Sequence, residues 1–301
     1  MSSASVKYLV VIIDLNPFYW ADKVSSSTTL NFKQYLNIII QFCNAYIAFD
    51  INHRLIIIGC SNNETHFLYP DLTSEYLIIP TVTKTNMFEQ LFVVDRVVET
   101  NLKNFIHDVS PVNPSSGSMI TMALTQALCY INRLVRETLA GEKNLFRILI
   151  IQTTHDTSKQ YMNFMNAVFT SEKLNVPIDG CILNNDSSLL QQACDLTSGI
   201  YLRVPDPNGL LQYLLWLYLT DKDVRKMLAL PTKVAVDYRP ACFCHHKLID
   251  TGYVCSVCLS IYCDNTTTCS TCRSAFDPNS TPMTTSNGSS DPSRRPPAPP
   301  R

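Results

Sequence analysis

The sequence predicts an α/β fold: a doubly wound, mostly parallel sheet with helices on both faces, followed by a small C-terminal zinc-binding module. Over residues 1–230, short apolar runs such as Tyr8–Ile13 alternate with amphipathic segments. Continuous apolar strands that alternate with helices are typical of a parallel sheet buried on both faces. Of the 12 cysteines, seven lie within 242–272, a density that indicates a metal-binding module in an intracellular chain.

The strands and helices follow from two hydrophobic periods. Predicted strands are short apolar runs, and they span 7–13, 54–59, 66–70, 146–152, 176–183 and 200–204. Predicted helices repeat apolar residues every three or four positions, and they span 31–49, 86–108, about 118–135, 161–169, 187–197 and 208–219. We expect Ser118 to cap its helix. We also expect Gly199 to end the helix 187–197 in the left-handed conformation.

Composition excludes several classes of function. Charged residues make up 16% of the chain and the formal net charge is −1, which argues against nucleic-acid binding through bulk electrostatics. Only 8 residues are glycine, and the motifs of phosphate-binding loops, serine hydrolases and zinc proteases are absent. We therefore expect no catalytic residues. No apolar run reaches the roughly 18 residues that cross a bilayer, so the chain is predicted to be intracellular and soluble.

The predicted domain boundaries follow the changes in composition. Residues 1–230 form the α/β domain, 231–240 a linker, and 241–276 the cysteine-rich module. Residues 277–301 are rich in Pro, Ser and Thr and are predicted to be a disordered tail. The cysteines of the α/β domain are predicted to be small buried hydrophobes, and they are Cys43, Cys60, Cys129, Cys181 and Cys194.

The strongest chemical signal is a pair of C-x-x-C motifs. Cys255 with Cys258 and Cys269 with Cys272 are separated by ten residues. Two such pairs supply the four thiolates of a closed tetrahedral zinc site, with no open position for water. We therefore predict a structural zinc ion bound by these four residues.

A second zinc site is possible on the remaining ligands. Cys242, Cys244, His245 and Cys263 interleave with the first set along the chain. This order resembles a cross-braced two-zinc module of RING type that lacks one clear ligand. The alternative is that these residues are packing or surface groups around a single zinc ion.

The segment after the first strand reads Asp14-Leu15-Asn16-Pro17-Phe18 and resembles the motif of a von Willebrand A domain whose cation site has decayed. Asp14 directly follows the apolar run, but Asn16 and Phe18 replace the hydroxyl residues of the family's D-x-S-x-S motif. Three further segments are similar to this fold: 115–124, 150–156 and 189–204. In the first of them, Ser118 stands at the metal-threonine position. A divalent cation needs about six oxygen ligands, so we expect no Mg²⁺ here. The alternative role for Asp14 is capping of a turn or helix.

The residues after Asp14 form a candidate partner-binding site. Pro17, Phe18, Tyr19 and Trp20 are predicted to lie in a loop at the strand end, and aromatic residues are typical anchors of interfaces. The alternative is that they pack on helices of their own domain.

Longer strings extend the resemblance over roughly residues 5–276. VVIIDLNPFYW, QYMNFMNAVF, LLQQACDLTSGIYLRVP and DYRPACFCHHKLIDTGYVCSVCLSIYC resemble the smaller von Willebrand A-like, zinc-finger-containing subunits of general transcription and DNA repair factor IIH. The resemblance implies a non-enzymatic nuclear subunit that acts in RNA polymerase II initiation and nucleotide excision repair. It also implies that the chain pairs with the larger von Willebrand A/RING-like subunit and contacts other core subunits, without binding nucleic acid or membrane directly.

Two alternatives of other classes remain at this point. A RING-like ubiquitin ligase subunit would use the cysteine-rich module to dock a conjugating enzyme and would need the full two-zinc cross-brace. A cation-dependent A-domain binding protein would need magnesium at Asp14.

Overall fold

The computed structural model describes residues 5–23, 30–70, 87–108, 117–138, 144–154, 160–184, 186–231, 236–239, 242–245, 249–264, 267–275 and 283–284. The chain divides into two compact units, Met1–Asp237 and Tyr238–Arg301. This boundary falls inside the predicted linker 231–240. Part of that linker and almost all of the predicted tail 277–301 lie outside the described residues.

The first unit is built on a six-stranded sheet. Its strands are β1 Val6–Asp14, β2 His53–Cys60, β3 Thr65–Tyr69, β4 Asn144–Gln152, β5 Ile178–Ile182 and β6 Tyr201–Arg203. Their order is β3-β2-β1-β4-β5-β6. All pairs are parallel except β2 with the edge strand β3, which run antiparallel. The predicted mostly parallel sheet is confirmed.

Helices cover both faces of this sheet. The described helices are α1 Pro17–Lys23, α2 Phe32–Phe49, α3 Met87–Asp108, α4 Ile120–Glu137, α5 Tyr161–Lys173, α6 Ser188–Leu196, α7 Leu210–Tyr213 and α8 Lys222–Arg225. None of them has the length and apolar character that a bilayer crossing requires.

The alternation of side chains along the strands separates two hydrophobic cores. Leu9, Val11 and Ile13 of β1 pack with α2, α3 and α7 on one face. Val10 and Ile12 pack with α4, α5 and α6 on the other face. Because β1 is central and buried on both faces, its carboxyl end lies deep in the first unit.

Several local predictions were wrong. Met119, not Ser118, precedes the first turn of α4, and the Ser118 hydroxyl donates to Asp14. Residues 17–23 form helix α1 and not a loop, since the side chain of Asn16 accepts a hydrogen bond from the Phe18 N–H and caps the helix. Cys129 is exposed on α4 and not buried.

The helix predicted over 208–219 is irregular. A 3₁₀ turn at Pro207–Gly209 leads into α7, which continues as a π-helical turn at Leu214–Tyr218. The Tyr218 hydroxyl donates to the Gly180 carbonyl at 2.6 Å. This buried contact holds the π-helical turn against β5.

The second unit contains short antiparallel strands: β7 Thr251–Val254, β8 Ile261–Tyr262 and β9 Met283–Thr284. The order is β8-β7-β9. Its small core consists of Cys255, Tyr262 and Cys269, with Phe243 and Cys258 packed against it. Strand β9 lies within the segment 277–301 that was predicted to be disordered, and its two residues pair with Thr251 and Gly252 of β7.

The end of α6 shows why a glycine is required at position 199. The left-handed residue is Ser198, with φ of 60°, and not Gly199 as predicted. A Cβ atom on Gly199 would lie 1.8 Å from the Ile178 carbonyl oxygen. Gly199 is therefore required for close packing of two backbone segments.

We expect Gly199→Ala to lower the free energy of unfolding by about 3 kcal/mol or more, because backbone must move to relieve this overlap. The matched control is Gly209→Ala, whose Cβ would meet the Tyr213 ring at an ordinary 3.4 Å and should cost about 0.5 kcal/mol or less. Urea unfolding of the two variants measures both losses in the free energy of unfolding. Equal losses would contradict this account of α6.

Candidate metal centres and the Asp14 cluster

Asp14 is the last residue of β1 and is fully buried. Its carboxylate lies at the carboxyl edge of the parallel sheet, where sites form in doubly wound folds. Two neighbouring segments reach it: the residues before α4, through Ser118, and the residues after β4, through Thr153 and Thr154. The structure thus brings together the Asp14 and Ser118 positions that the sequence singled out.

Hydrogen-bond donors surround both oxygens of the Asp14 carboxylate. Oδ1 accepts from the Ser118 hydroxyl and from the Asn16 N–H at 3.2 Å. Oδ2 accepts from the N–H groups of Thr153 and Thr154 at 3.0 and 2.9 Å. It also accepts from their hydroxyls at 2.9 and 2.7 Å. Hydrogen bonds to an ionised acceptor are roughly twice as strong as neutral ones. Because the donors lie near residues 16, 118 and 153, the cluster holds three segments of the chain together.

The residues around Asp14 do not fit a divalent cation. Two of the groups on Oδ2 are backbone N–H donors, which have no lone pair for a metal ion. The side-chain oxygen of Asn16 is occupied by the Phe18 N–H at 3.0 Å. A magnesium ion requires near-octahedral oxygen ligands. Here the amides present hydrogen atoms to Asp14, and the hydroxyls of Ser118, Thr153 and Thr154 already donate to its carboxylate.

The candidate partner-binding residues divide into two kinds. Trp20 is buried, and its ring centroid lies 4.7 Å from that of Tyr35 and 5.3 Å from that of Phe32. It therefore belongs to the core of its own unit. Pro17 is exposed, and Phe18 and Tyr19 are half-buried, so these three residues retain surface on the outside of α1.

In the second unit, Cys255, Cys258, Cys269 and Cys272 form one group of potential metal ligands. Their sulfur atoms all lie within 4.8 Å of one another. The Sγ–Sγ distance is 3.5 Å from Cys258 to Cys269 and 3.6 Å from Cys255 to Cys272. The four residues predicted from the two C-x-x-C motifs thus converge and could hold a metal ion.

The two C-x-x-C turns have the same backbone hydrogen bonds. Cys255 N–H donates to the Ser260 carbonyl and Leu259 N–H donates back to the Cys255 carbonyl, both at 2.9 Å. The second turn repeats this pattern from Cys269, with its N–H bonded to the Ser274 carbonyl at 2.8 Å. Such turns present two thiols on one side of a tight loop.

Each turn also places a serine hydroxyl beside a thiol. Ser260 Oγ lies 3.1 Å from Cys258 Sγ, and Ser274 Oγ lies 3.0 Å from Cys272 Sγ. These serines were not predicted from the sequence. The signal was present as the repeated pattern C-S-x-C-x-S at 255–260 and 269–274.

The second group comprises Cys242, Cys244, His245 and Cys263. The Sγ of Cys263 lies 3.1 Å from the Sγ of Cys244 and 3.1 Å from Nδ1 of His245. His245 completes a set of four that the sequence left without one clear ligand. The two groups interleave along the chain, which is the order of a cross-brace.

The environment of the thiols perturbs their ionisation. Burial raises the pKa of Cys269, but hydrogen bonds from the Tyr262 hydroxyl and from backbone N–H groups outweigh it and lower this pKa to about 5. In the other group, the neighbouring Cys244 thiol and burial raise the pKa of Cys263 to about 11. Two adjacent thiols do not readily ionise together, because the negative charges of the thiolates repel each other. A cation bound among them would offset this repulsion.

We expect Asp14→Asn to lower the free energy of unfolding by about 3 kcal/mol, because the charged acceptor of a buried hydrogen-bond cluster is lost. The control is Asp206→Asn, since Asp206 is exposed and its carboxylate accepts from the Asn208 N–H at 3.0 Å. Asparagine replaces aspartate well in such a cap, so the control should lose little stability. A neutral effect of Asp14→Asn in urea unfolding would contradict the assignment.

Comparison with known proteins gives a consistent family assignment. The family model "Transcription factor Tfb4" matches residues 6–273 and so extends from the first unit into the second. The chain is 37% identical over 258 residues to "General transcription and DNA repair factor IIH subunit tfb4" of Schizosaccharomyces pombe, covering 85% of this chain and 84% of that protein. It is 33% identical over 272 residues to the Arabidopsis thaliana protein of the same description, covering 87% and 86% of the two chains.

A solved structure supports the same assignment for the first unit. The crystal structure of the TFIIH p34 N-terminal domain superposes with a TM-score of 0.60 at 28% identity, covering 70% of this chain and 97% of that one. Together with the match over residues 6–273, this shows that the chain belongs to the Tfb4 family of transcription factors.

Proposed function

We propose that this chain is a non-catalytic structural subunit of general transcription and DNA repair factor IIH. In that role it acts in the nucleus, in RNA polymerase II initiation and nucleotide excision repair. The observation that carries the proposal is the extent of the family match, which runs from residue 6 in the first unit to residue 273 in the second. Relatives with the factor IIH description align over most of their own length as well.

The chemistry of the first unit supports a structural role. The Asp14 carboxylate is surrounded by protein donors, so it is not available as a general base or a metal ligand. Burial raises the pKa of the Cys181 thiol to about 12 and raises that of Cys43 as well. Such thiols are inert at neutral pH, because the thiolate is the nucleophile.

We further propose that the second unit binds two zinc ions, one in each group of four ligands. A tetrahedral zinc with bonds of about 2.3 Å to sulfur separates its sulfur ligands by about 3.8 Å. The distances of 3.5 and 3.6 Å in the Cys255 group are close to this value. The Cys263 group, at 3.1 Å, would have to open slightly. Zinc would supply the folding free energy that so small a core lacks.

We propose that the principal partner is the larger von Willebrand A/RING-like subunit of the factor. On this chain, Pro17, Phe18 and Tyr19 form the candidate contact on the outside of α1, while Trp20 supports α1 from the core. The aromatic pair fits an interface anchor.

A RING-like ubiquitin ligase subunit is the second candidate function. The interleaved ligand groups favour it, as do Val257 and Leu259, which are 69% and 71% exposed on the first C-x-x-C turn. The ligase function requires two zinc ions, and our own proposal also places two in this unit, so zinc stoichiometry does not separate them. The discriminating assay is therefore discharge of ubiquitin from a charged conjugating enzyme. Our proposal predicts no discharge above background.

Native mass spectrometry of the chain purified from nuclei tests the main proposal. We expect two zinc ions per chain and co-purifying subunits of factor IIH. Cys263→Ser and Cys258→Ser should each lose one zinc ion. Cys129→Ser should retain both, because Cys129 lies exposed on α4, far along the chain from either ligand group. A wild-type chain with one zinc ion would contradict the two-zinc proposal, and a chain without factor IIH subunits would contradict the functional one.

Pull-down with the purified larger subunit tests the α1 contact. We expect the double change Phe18→Ala and Tyr19→Ala to weaken binding at least tenfold, as loss of interface anchors does, while the variant stays folded. The control is Phe169→Ala, which removes an aromatic side chain that is 46% exposed on α5. Unchanged binding by the folded double variant would reject this contact.

A further inference from the structure

The first unit contains a buried group of charges that lies apart from Asp14. Asp179 of β5 is fully buried, and Arg225 of α8 and Arg147 of β4 are 7% and 8% exposed. Arg225 donates to both carboxylate oxygens of Asp179, from Nη1 at 2.8 Å and from Nη2 at 2.6 Å. This is the strong bidentate pairing of a guanidinium with a carboxylate.

Arg147 has no comparable partner. The carboxylate of Asp179 is engaged by Arg225 and by the Ile200 N–H at 2.8 Å. Nε of Arg147 approaches it only to 3.9 Å. Nη1 of Arg147 donates to the Thr220 carbonyl at 2.6 Å, and its buried Nη2 has no hydrogen-bond partner among the described residues.

Two guanidinium groups therefore share one carboxylate in the interior. Buried charges are normally paired, since removing an unpaired ion from water costs several kcal/mol. Burial lowers the pKa of Arg147, Asp179 opposes this effect and Arg225 adds to it. Asp221 also raises the pKa of Arg147, but its carboxylate bonds to Lys7. Arg147, Arg225 and Asp179 thus carry a net charge of +1 beside Nη2 of Arg147, which has no hydrogen-bond partner among the described residues.

A cavity lies directly beside this group. Its volume is about 320 Å³, and both Arg147 and Arg225 line it. This volume is at the lower end of the range for small-molecule sites. Lys226 and Asp195 add one charge of each sign to the wall, and apolar residues such as Ile200 and Leu230 line much of the rest.

We propose that this cavity binds a small organic monocarboxylate, with the carboxylate at Arg147 and an apolar body against Ile200 and Leu230. One negative charge balances the excess positive charge of the Arg147, Arg225 and Asp179 group. The carboxylate would accept from Nη2 of Arg147, which is buried in this structure and would have to turn toward the cavity. The apolar wall favours a hydrocarbon or aromatic body. This inference does not depend on membership of factor IIH.

Benzoate and benzamide, which share shape and size, are the probes. For the full-length chain we expect benzoate to reach half-saturation at about 1 mM, because a ligand with so few atoms gains little binding free energy. At tenfold above that concentration and constant ionic strength, the melting temperature should rise by roughly 3 °C. Benzamide should leave it unchanged.

Arg147→Leu is the matched variant, with Arg136→Leu on the exposed face of α4 as control. We expect the benzoate shift to vanish in Arg147→Leu and to persist in Arg136→Leu. If Arg147→Leu does not fold, NMR titration of the wild-type chain decides. Benzoate should then shift the amide signals of Gly199, Ile200 and Tyr201, which line the cavity. Equal effects of benzoate and benzamide, a shift that survives in Arg147→Leu, or signals that move elsewhere would overturn the proposal.

Discussion

The organisation of the first unit depends on the burial of one carboxylate, that of Asp14, at the end of the central strand. A buried ionised group is tolerated only when it is fully paired or hydrogen-bonded. Here the amide and hydroxyl donors of Thr153 and Thr154, together with Ser118, supply that pairing. The ends of β1 and β4 and the residues before α4 are consequently held in one arrangement.

This arrangement accounts for the difference between the chain and a cation-dependent A domain. In such a domain the same edge of the sheet presents oxygen ligands to a metal ion. In this chain, Asn16 is used to cap α1, and Phe18 offers no oxygen. The edge is thus closed by hydrogen bonds. In the second unit the two interleaved ligand groups would provide the corresponding constraint.

Much of this could be predicted from the sequence because the signals were local. Apolar runs gave the strands of the sheet, and the two C-x-x-C pairs gave the Cys255 group. Non-local features could not be predicted. Ser118 was expected to cap α4, but its hydroxyl donates to Asp14, which lies 104 residues away in the chain. Position 199 needs glycine because of a carbonyl on β5, and no pattern around α6 indicates that neighbour.

The most direct test of the account is amide hydrogen exchange at Thr153 and Thr154, whose N–H groups donate to Asp14. These residues follow β4 in the chain, where exchange is fast unless a hydrogen bond protects the amide. We expect both amides to exchange as slowly as those of the central strands, at the same rate with and without magnesium. Rapid exchange, or protection that develops only when magnesium is added, would contradict a carboxylate edge closed by the protein's own donors.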